Sequence, residues 1–344
     1  MADAGWSAKA KYLVTGGAGF IGSHFVKRVL SDYAEARVAV LDKLTYAGNP
    51  DNLAGLERDS RYSFMKGDIC DPSAVAGAME GCDVCVNFAA ETHVDRSLGD
   101  PSSFVLTDVY GTHVLLEAAR KQGVRKFVQI STDEVYGEIM GAPATEEAPL
   151  APTNPYAASK AGGDRLAFSY YASFKVPVVV TRCSNNYGPN QYPEKLFPLF
   201  ITNAMEDRKL PVYGTGRNTR DWIHVDDHCS ALLALIDRDG VEGGVFNVGG
   251  GNELSVLEIA ERILKLLGKP SDLLEHVKDR PSHDRRYALD TTRIRRTVGW
   301  APRIPFEDGV AATVRWYVEN SWWWEKIKSG DTYRKYYERM YGSR

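Results

Sequence analysis

The sequence predicts an α/β protein built on a doubly wound parallel sheet, with a smaller lobe toward its C-terminal end. Three observations carry that expectation. Short apolar runs at 11–15, 37–41, 62–66, 84–88, 126–131 and 176–181 alternate with helical patterns, and repeated strand–helix units fold into parallel sheets. A glycine-rich turn, Gly16-Gly17-Ala18-Gly19-Phe20-Ile21-Gly22, separates the first strand from the first helical pattern. After Thr181 the composition shifts to Asn, Pro, Gly and Tyr, the make-up of loops carried on a rigid scaffold. At 344 residues the chain exceeds the usual size of one core. We divide it into a scaffold domain over 1–182 plus 222–250 and a lobe over 183–221 plus 251–344.

The hydrophobic fraction of 44% and charged fraction of 25% are those of an ordinary globular enzyme. No run approaches the ~18 apolar residues of a membrane span. Residues 1–10, small and polar, read as a loose tail and not as a signal peptide or anchor. A net charge of −3 gives no bulk attraction to nucleic acid. The basic cluster Lys278, Arg280, Arg285, Arg286, Arg293, Arg295 and Arg296 is either a site for a phosphorylated small molecule or a solvated face. Five cysteines form no small-domain framework, which favours a reducing cytoplasm. Cys82 and Cys85 have the spacing of half a zinc site, but no second pair follows and Cys85 falls in an apolar run, so both read as buried structural residues. The histidines show no metal spacing, and no metal is expected.

Strand, glycine turn and helix in succession form a dinucleotide fingerprint. Gly17 permits the tight turn, Gly19 lets a pyrophosphate approach the backbone, and Gly22 lets the helix pack on the strand, with Gly16, Phe20 and Ile21 completing the loop. The phosphates would sit on the free amides at the helix start. Asp42 ends the second strand about twenty residues past Gly22, where an acidic side chain binds the ribose hydroxyls and repels a 2′-phosphate. NAD is therefore the expected cofactor. After the third strand, Asp68 accepts a bond from the adenine amine or else is a simple turn carboxylate, with Ile69 beside it. After the fourth, Phe88, Ala89 and Ala90 lead to Glu91 and Thr92, the alanines leaving room for the cofactor.

Helical patterns over 102–122 and 155–174 carry apolar stripes, Val105, Val109, Leu116 and Ala119 on the first and Leu166, Phe168, Tyr170, Tyr171 and Phe174 on the second. Such stripes are core, or they pair with a second copy across a twofold axis. Between them, Thr132, Asp133 and Glu134 emerge past the fifth strand, where open α/β sheets bind their ligands. Asn154 caps the following helix and Pro155 suits its first turn, which places Tyr156 and Lys160 one turn apart on one face. A cation beside a phenol lowers its pKa and makes it a usable base. The Tyr-x-x-x-Lys spacing also occurs at Tyr62/Lys66 and Tyr171/Lys175, but only Tyr156 opens a helix beside a strand-end loop. Farther on, a returning strand is expected at 246–249, a helix at 255–267 and a loop at 280–285, and the aromatic end from Trp316 to Tyr341 reads as helix packing.

With these residues in place, the chain resembles the extended short-chain dehydrogenase/reductase superfamily, a Rossmann fold, and within it most resembles the dTDP-glucose 4,6-dehydratase branch. The likeness runs from Lys11 to about Trp316. The glycine turn and Tyr156-x-x-x-Lys160 mark only the superfamily. The runs 131–137 (Ser-Thr-Asp-Glu-Val-Tyr-Gly), 184–189 (Ser-Asn-Asn-Tyr-Gly-Pro), 193–198 (Pro-Glu-Lys-Leu-Phe-Pro), 220–222 (Arg-Asp-Trp) and 283–287 (His-Asp-Arg-Arg-Tyr) are specific to the dehydratase branch.

The resemblance implies that Tyr156, helped by Thr132 and Lys160, removes the proton of a sugar 4-hydroxyl while C4 gives a hydride to NAD. Glu134 then takes the C5 proton, Asp133 protonates the departing C6 hydroxyl, and the hydride returns to C6, leaving a 4-keto-6-deoxy nucleotide sugar. It further implies that Thr92, Asn185, Lys195, Leu196, Pro211, Tyr213, Arg220, Arg280, His283 and Tyr287 face the nucleotide sugar and that Asn186 meets the nicotinamide end. To the cofactor contacts we add Lys43, Thr45 and Thr107. Three positions depart from the pattern: Asp108 stands where Asn is usual, Val256 where many relatives have Asn, and Ser282 where Gly is usual. A homodimer through helices 102–122 and 155–174 is expected, with no membrane or nucleic-acid partner. Two other readings stay open at this point, a UDP-sugar 4-epimerase, which needs no acid–base pair like Asp133 and Glu134, and a noncatalytic NAD-sensing protein.

Overall fold

A computed structural model describes residues 5–342. The strands in chain order are β1 (Lys11–Thr15), β2 (Arg37–Asp42), β3 (Tyr62–Lys66), β4 (Val84–Asn87), β5 (Lys126–Thr132), β6 (Val178–Cys183), β7 (Asn185–Tyr187), β8 (Leu210–Tyr213), β9 (Thr219–His224), β10 (Val245–Val248), β11 (Glu253–Ser255) and β12 (Leu274–Val277). Seven of them form one sheet in the order β10-β6-β5-β4-β1-β2-β3, every pair parallel. The chain winds outward through β1, β2 and β3, then returns to β4 beside β1 and winds the other way. That reversal opens a crevice at the carboxyl ends of β1 and β4, the switch point where such sheets bind ligands.

Alternating side chains serve the two faces of the sheet. Tyr12 and Val14 of β1 pack with Phe25, Val26 and Val29 of the Phe20–Asp32 helix and with Leu232 and Ile236 of the Val225–Ile236 helix. Leu13, between them in sequence, packs on the opposite face with Val75, Leu115, Leu116, Ala167 and Tyr170. A separate core, built from Phe197, Phe200, Leu210, Val212, Trp222, Ile259, Ile263, Val310, Tyr317 and Trp323, fills the lobe. There β9 lies between β11 and β7, and β8 pairs with β12.

A buried guanidinium braces the scaffold beneath the cleft. Arg182 of β6 makes two parallel bonds to Asp164 of the Pro155–Phe174 helix, at 2.8 and 3.0 Å. Its third nitrogen donates to the Tyr136 hydroxyl at 2.8 Å, and that hydroxyl donates to Asn247 of β10 at 2.8 Å. One network thus ties together the helix that carries Tyr156, the turn that carries Asp133 and Glu134, and two strands.

Several expectations are corrected. The tail expected over 1–10 is ordered from Gly5 onward, and positions 1–4 lie outside the described residues: Ser7 donates to Asp237 at 2.6 Å, and Arg125 lies over the Trp6 ring. The helix expected over 102–122 is interrupted by a π-helical stretch, Val105–Gly111, between Pro101–Phe104 and Thr112–Gln122. The sixth strand begins two residues later than expected because Pro177 has no N–H to pair. The basic cluster disperses, with Arg285 on Glu138, Arg286 on Glu253 and Arg293 on Glu146, while Arg280 turns toward Asp95. Cys82 and Cys85, by contrast, are buried free thiols as expected, and burial pushes the Cys82 thiol up to about 11.

Removing one partner of a buried pair strands the other charge. Asp164→Ala is therefore expected to lower stability by ~3–5 kcal/mol in urea unfolding. A loss below about 1 kcal/mol, the range of an exposed pair, would contradict the network's place in the fold.

Candidate active site

One deep cleft crosses the carboxyl ends of β1, β4, β5 and β6 and continues into the lobe. At its sheet end the walls are Gly16, Gly19, Phe20, Ile21 and Gly22. The cradle closes only for glycine. Gly16, with φ +66°, takes the left-handed turn expected of Gly17, and a Cβ there would lie 2.7 Å from the Ala89 nitrogen. A Cβ at Gly22 would stand 2.4 Å from the Gly16 carbonyl oxygen. Gly17 does not reach the cleft, because it is packed against Val40 of β2. Gly19 precedes the Phe20–Asp32 helix without any side-chain cap, so that helix presents free amides to an anion.

Asp42 accepts the amides of Ala18 and Leu44 at 2.9 and 2.8 Å, which locks the loops on either side of the cleft. Burial raises its pKa while those amides pull it back, and a carboxylate retains lone pairs for a further donor. Lys43 and Asp68 pair at 2.7 Å, and Asp68 also accepts the Cys70 amide, so it is a turn carboxylate on the cleft wall. Thr45, Ile69, Phe88, Ala89, Ala90, Thr107 and Asn186 line the same half. Free helix amides, a glycine cradle and a buried acid at the end of β2 fit a dinucleotide.

At the centre, the β5 strand runs directly into a turn, Asp133–Tyr136. The Thr132 hydroxyl accepts the Glu134 amide at 3.3 Å and donates to one Asp133 oxygen at 3.0 Å. The second Asp133 oxygen and one Glu134 oxygen are buried without a hydrogen-bond partner. Burial, with the Glu134 charge beside it, pushes the Asp133 carboxyl up to about 8. Of the two carboxyls this is the one whose surroundings favour the protonated form, next to a second carboxyl aimed into the same space.

Tyr156 enters from the opposite wall. The Asn154 side chain accepts the Ala157 amide at 2.9 Å, and Pro155 opens the helix, so Tyr156 and Lys160 both line the cleft from its first turns. The expected depression of the Tyr156 pKa is not found. Burial holds the phenol well above its ordinary value, and Glu134, Asp108 and Asp133 add to the effect. The Lys160 ammonium is buried and donates to the Ile130 carbonyl at 2.7 Å.

On the lobe side the cleft is walled by Thr92, Asn185, Lys195, Leu196, Pro211, Tyr213, Arg220, Arg280 and His283. Lys195 donates to the Thr92 hydroxyl at 3.0 Å, and Arg280 faces Asp95 at 3.5 Å. Two guanidiniums and an ammonium in one concavity suit a diphosphate. Tyr287 is a correction: its hydroxyl donates to Asp284 at 2.6 Å and its ring lies under the Arg220 guanidinium, so it supports Arg220 from behind and does not line the cleft. Val256 does line it, and Ser282 adopts φ +52°, the conformation for which glycine is usual. Among the described residues no cluster of His, Cys, Asp or Glu is placed to hold a metal ion.

The cleft also contains residues the sequence reading passed over: Glu91, His93, Asp95, Tyr192, Glu194 and Tyr341. His93 and Asp95 continue the segment after β4, and extending the strand-end rule past Thr92 would have found them. Tyr341 carried no such signal, because the helix Asp331–Tyr341 reaches the cleft only through the tertiary fold.

The chain matches the family model described as GDP-mannose 4,6 dehydratase over residues 13–313. It is 54% identical to a dTDP-glucose 4,6-dehydratase of Streptomyces niveus, covering 93% of this chain and 96% of that one. The crystal structure of DesIV, a dTDP-glucose 4,6-dehydratase from Streptomyces venezuelae solved with NAD bound, superposes with a TM-score of 0.90 at 48% identity, covering 92% of this chain and all of that one. The UDP-glucuronic acid 4-epimerase of Bacillus cereus has the same fold with a TM-score of 0.85 at 30% identity, covering 90% of this chain and 99% of that one.

The Asp133 carboxyl, at about 8, lies far above an unfolded carboxyl near 4. Its contribution to stability is fully present below the unfolded value and is lost as pH rises toward 8. Asp133→Asn, which cannot ionise, is expected to match the parent near pH 4 and to exceed it increasingly in Tm as pH rises through this window. A difference that stays constant or shrinks would contradict the buried, proton-bearing carboxyl.

Proposed function

The chain belongs to the GDP-mannose 4,6 dehydratase family, and on that premise we propose that it is an NAD-dependent hydro-lyase converting dTDP-glucose to its 4-keto-6-deoxy sugar. The observation that carries the reading is the pair at the end of β5, a carboxyl that keeps its proton beside one that points unpartnered into the cleft. Eliminating water across C5 and C6 needs an acid and a base in addition to the tyrosine that serves C4, whereas inverting C4 needs no such further pair. The pair therefore favours dehydration over epimerisation, and its convergence with Thr132, Tyr156 and Lys160 disfavours a noncatalytic NAD sensor.

In this reading Tyr156 takes the proton of the sugar 4-hydroxyl, and Thr132 and Lys160 orient that oxygen. When bound, NAD supplies the acceptor for the hydrogen at C4, its later donor to C6, and a positive charge that favours the Tyr156 phenolate. Glu134 removes the C5 proton once the neighbouring ketone has acidified it, and gives a proton back to C5 as C6 takes up hydride. Neutral Asp133 gives its proton to the departing 6-hydroxyl, and the low dielectric that raised its pKa makes it an effective donor. Arg220, Arg280 and Lys195 hold the diphosphate. Free thiols among the described residues support a cytoplasmic location, and none of the described helices is long and apolar enough to cross a membrane.

We also propose a homodimer. Val105, Leu106 and Tyr110, 57%, 52% and 45% exposed, form with Val109 and Leu166 an apolar groove on the two long helices. Large exposed patches of this kind mark association surfaces. Sedimentation is expected to give a dimer at micromolar concentration and a monomer for Leu106→Asp, and a monomeric parent would remove the proposal.

Incubation with dTDP-glucose and with UDP-glucose, followed by mass analysis, tests the reaction class. Loss of water from dTDP-glucose is expected, and a product of unchanged mass would indicate an epimerase. Glu134→Gln is expected to accumulate reduced nicotinamide in rapid mixing, because C4 is oxidised while C5 keeps its proton. Tyr156→Phe is expected to form none. Normal turnover by Glu134→Gln would move the C5 base elsewhere.

A further inference from the structure

Asp108 lies behind the active-site wall, next to Thr107, which lines the cleft, and an amide is its uncharged isostere. It begins the run Asp108-Val109-Tyr110-Gly111-Thr112 inside the π-helical stretch, and only 3% of its surface is exposed. One carboxylate oxygen accepts the Glu91 amide at 2.9 Å, and the other accepts the Ser159 hydroxyl at 2.6 Å. Its own carbonyl accepts the Thr112 hydroxyl and lies where a Cβ at Gly163 would come within 2.5 Å, so the π-helical turn and the Tyr156 helix are locked together here. Both donors are neutral, one a backbone amide and the other a hydroxyl, and the hydroxyl belongs to the residue immediately before Lys160.

We propose that Asp108 is a positioning residue whose negative charge offsets that of Lys160 and so sets how readily Tyr156 gives up its proton. The inference rests on the reading of Tyr156 as the oxidation base. Around Asp108, the helix Pro155–Phe174 presents Tyr156 and Lys160, the segment after β4 presents Glu91, and the segment after β3 presents Cys70. His113, on the Thr112–Gln122 helix that follows the π-helical stretch, is engaged by the Tyr170 hydroxyl at 2.9 Å. Burial pushes the Asp108 carboxyl up to about 6, and the Lys160 charge and the Ser159 donor pull it back, so it is ionised at neutral pH. An ionised Asp108 raises the Tyr156 pKa. Without it, the Lys160 ammonium acts on the phenol uncompensated.

Asp108→Asn keeps an acceptor for the Glu91 amide and a partner for the Ser159 hydroxyl, which can itself accept, and removes only the charge. Ser159→Ala keeps the charge and removes the donor. The Tyr156 ionisation is read directly from tyrosinate absorbance, as parent minus Tyr156→Phe and as each variant minus its double mutant with Tyr156→Phe. It is read independently from the pH dependence of single-turnover nicotinamide reduction with dTDP-glucose. For Asp108→Asn both midpoints are expected to fall by roughly one pH unit, with KM changed less than about twofold. Ser159→Ala is expected to leave the tyrosinate midpoint in place. An unmoved or raised midpoint in a folded Asp108→Asn protein overturns the inference, and so does an equal fall in Ser159→Ala, which would assign the effect to packing. Should Asp108→Asn not fold, Asp108→Ser carries the same expectation and the same refutation. Full turnover by Tyr156→Phe would instead overturn the reading of the base, which keeps the two failures distinct.

Discussion

Desolvation at the carboxyl end of β5 is the constraint on which the site depends. Two carboxyls, Asp133 and Glu134, are adjacent in sequence and placed where little water reaches, and two buried like charges at that distance are costly. The fold eases the conflict by raising the pKa of Asp133, the more deeply buried of the two, while Glu134 faces the cleft. The same desolvation raises Tyr156, so the phenol is a weak base until positive charge is brought near it.

Such a site works only if its parts cannot drift apart. The Arg182–Asp164 pair and the Tyr136–Asn247 bond fix the β5 turn, the Tyr156 helix, β6 and β10 relative to one another. A second tie lies toward the lobe, where Arg96 pairs with Glu194 at 2.6 Å and lies between the rings of Tyr46 and Tyr336. Tyr46 follows the strand that ends in Asp42, and Tyr336 belongs to the last helix, so the dinucleotide loop and the lobe share one cation. Its neighbours Thr92 and Lys195 stand on the segments it joins.

Much of this was legible in the chain because it depends on local rules. The glycine turn, the acid at the end of β2, the strand-end position of Thr132 to Glu134 and the Asn154-Pro155 helix start are each set by neighbours within a few residues. What escaped the sequence depends on contacts distant along the chain. Gly16, and not Gly17, takes the positive φ because Ala89 closes over it and Val40 crowds its neighbour. Tyr287 lies behind Arg220 because Asp284 claims its hydroxyl. Tyr341 reaches the cleft through a helix whose tyrosines looked like ordinary packing. The Tyr156 pKa lies high because burial and three carboxyls distant in sequence or hidden in the fold outweigh a neighbouring ammonium.

The division of labour between Asp133 and Glu134 is most directly tested by carbon-13 NMR of protein labelled at the aspartate side-chain carboxyls, with Asp133→Asn used to assign the resonance. The Asp133 carboxyl is predicted to titrate near 8 and to be protonated at neutral pH. A resonance already in its ionised position at pH 5, near the range of exposed aspartates, would contradict the acid role and the desolvation that underlies it.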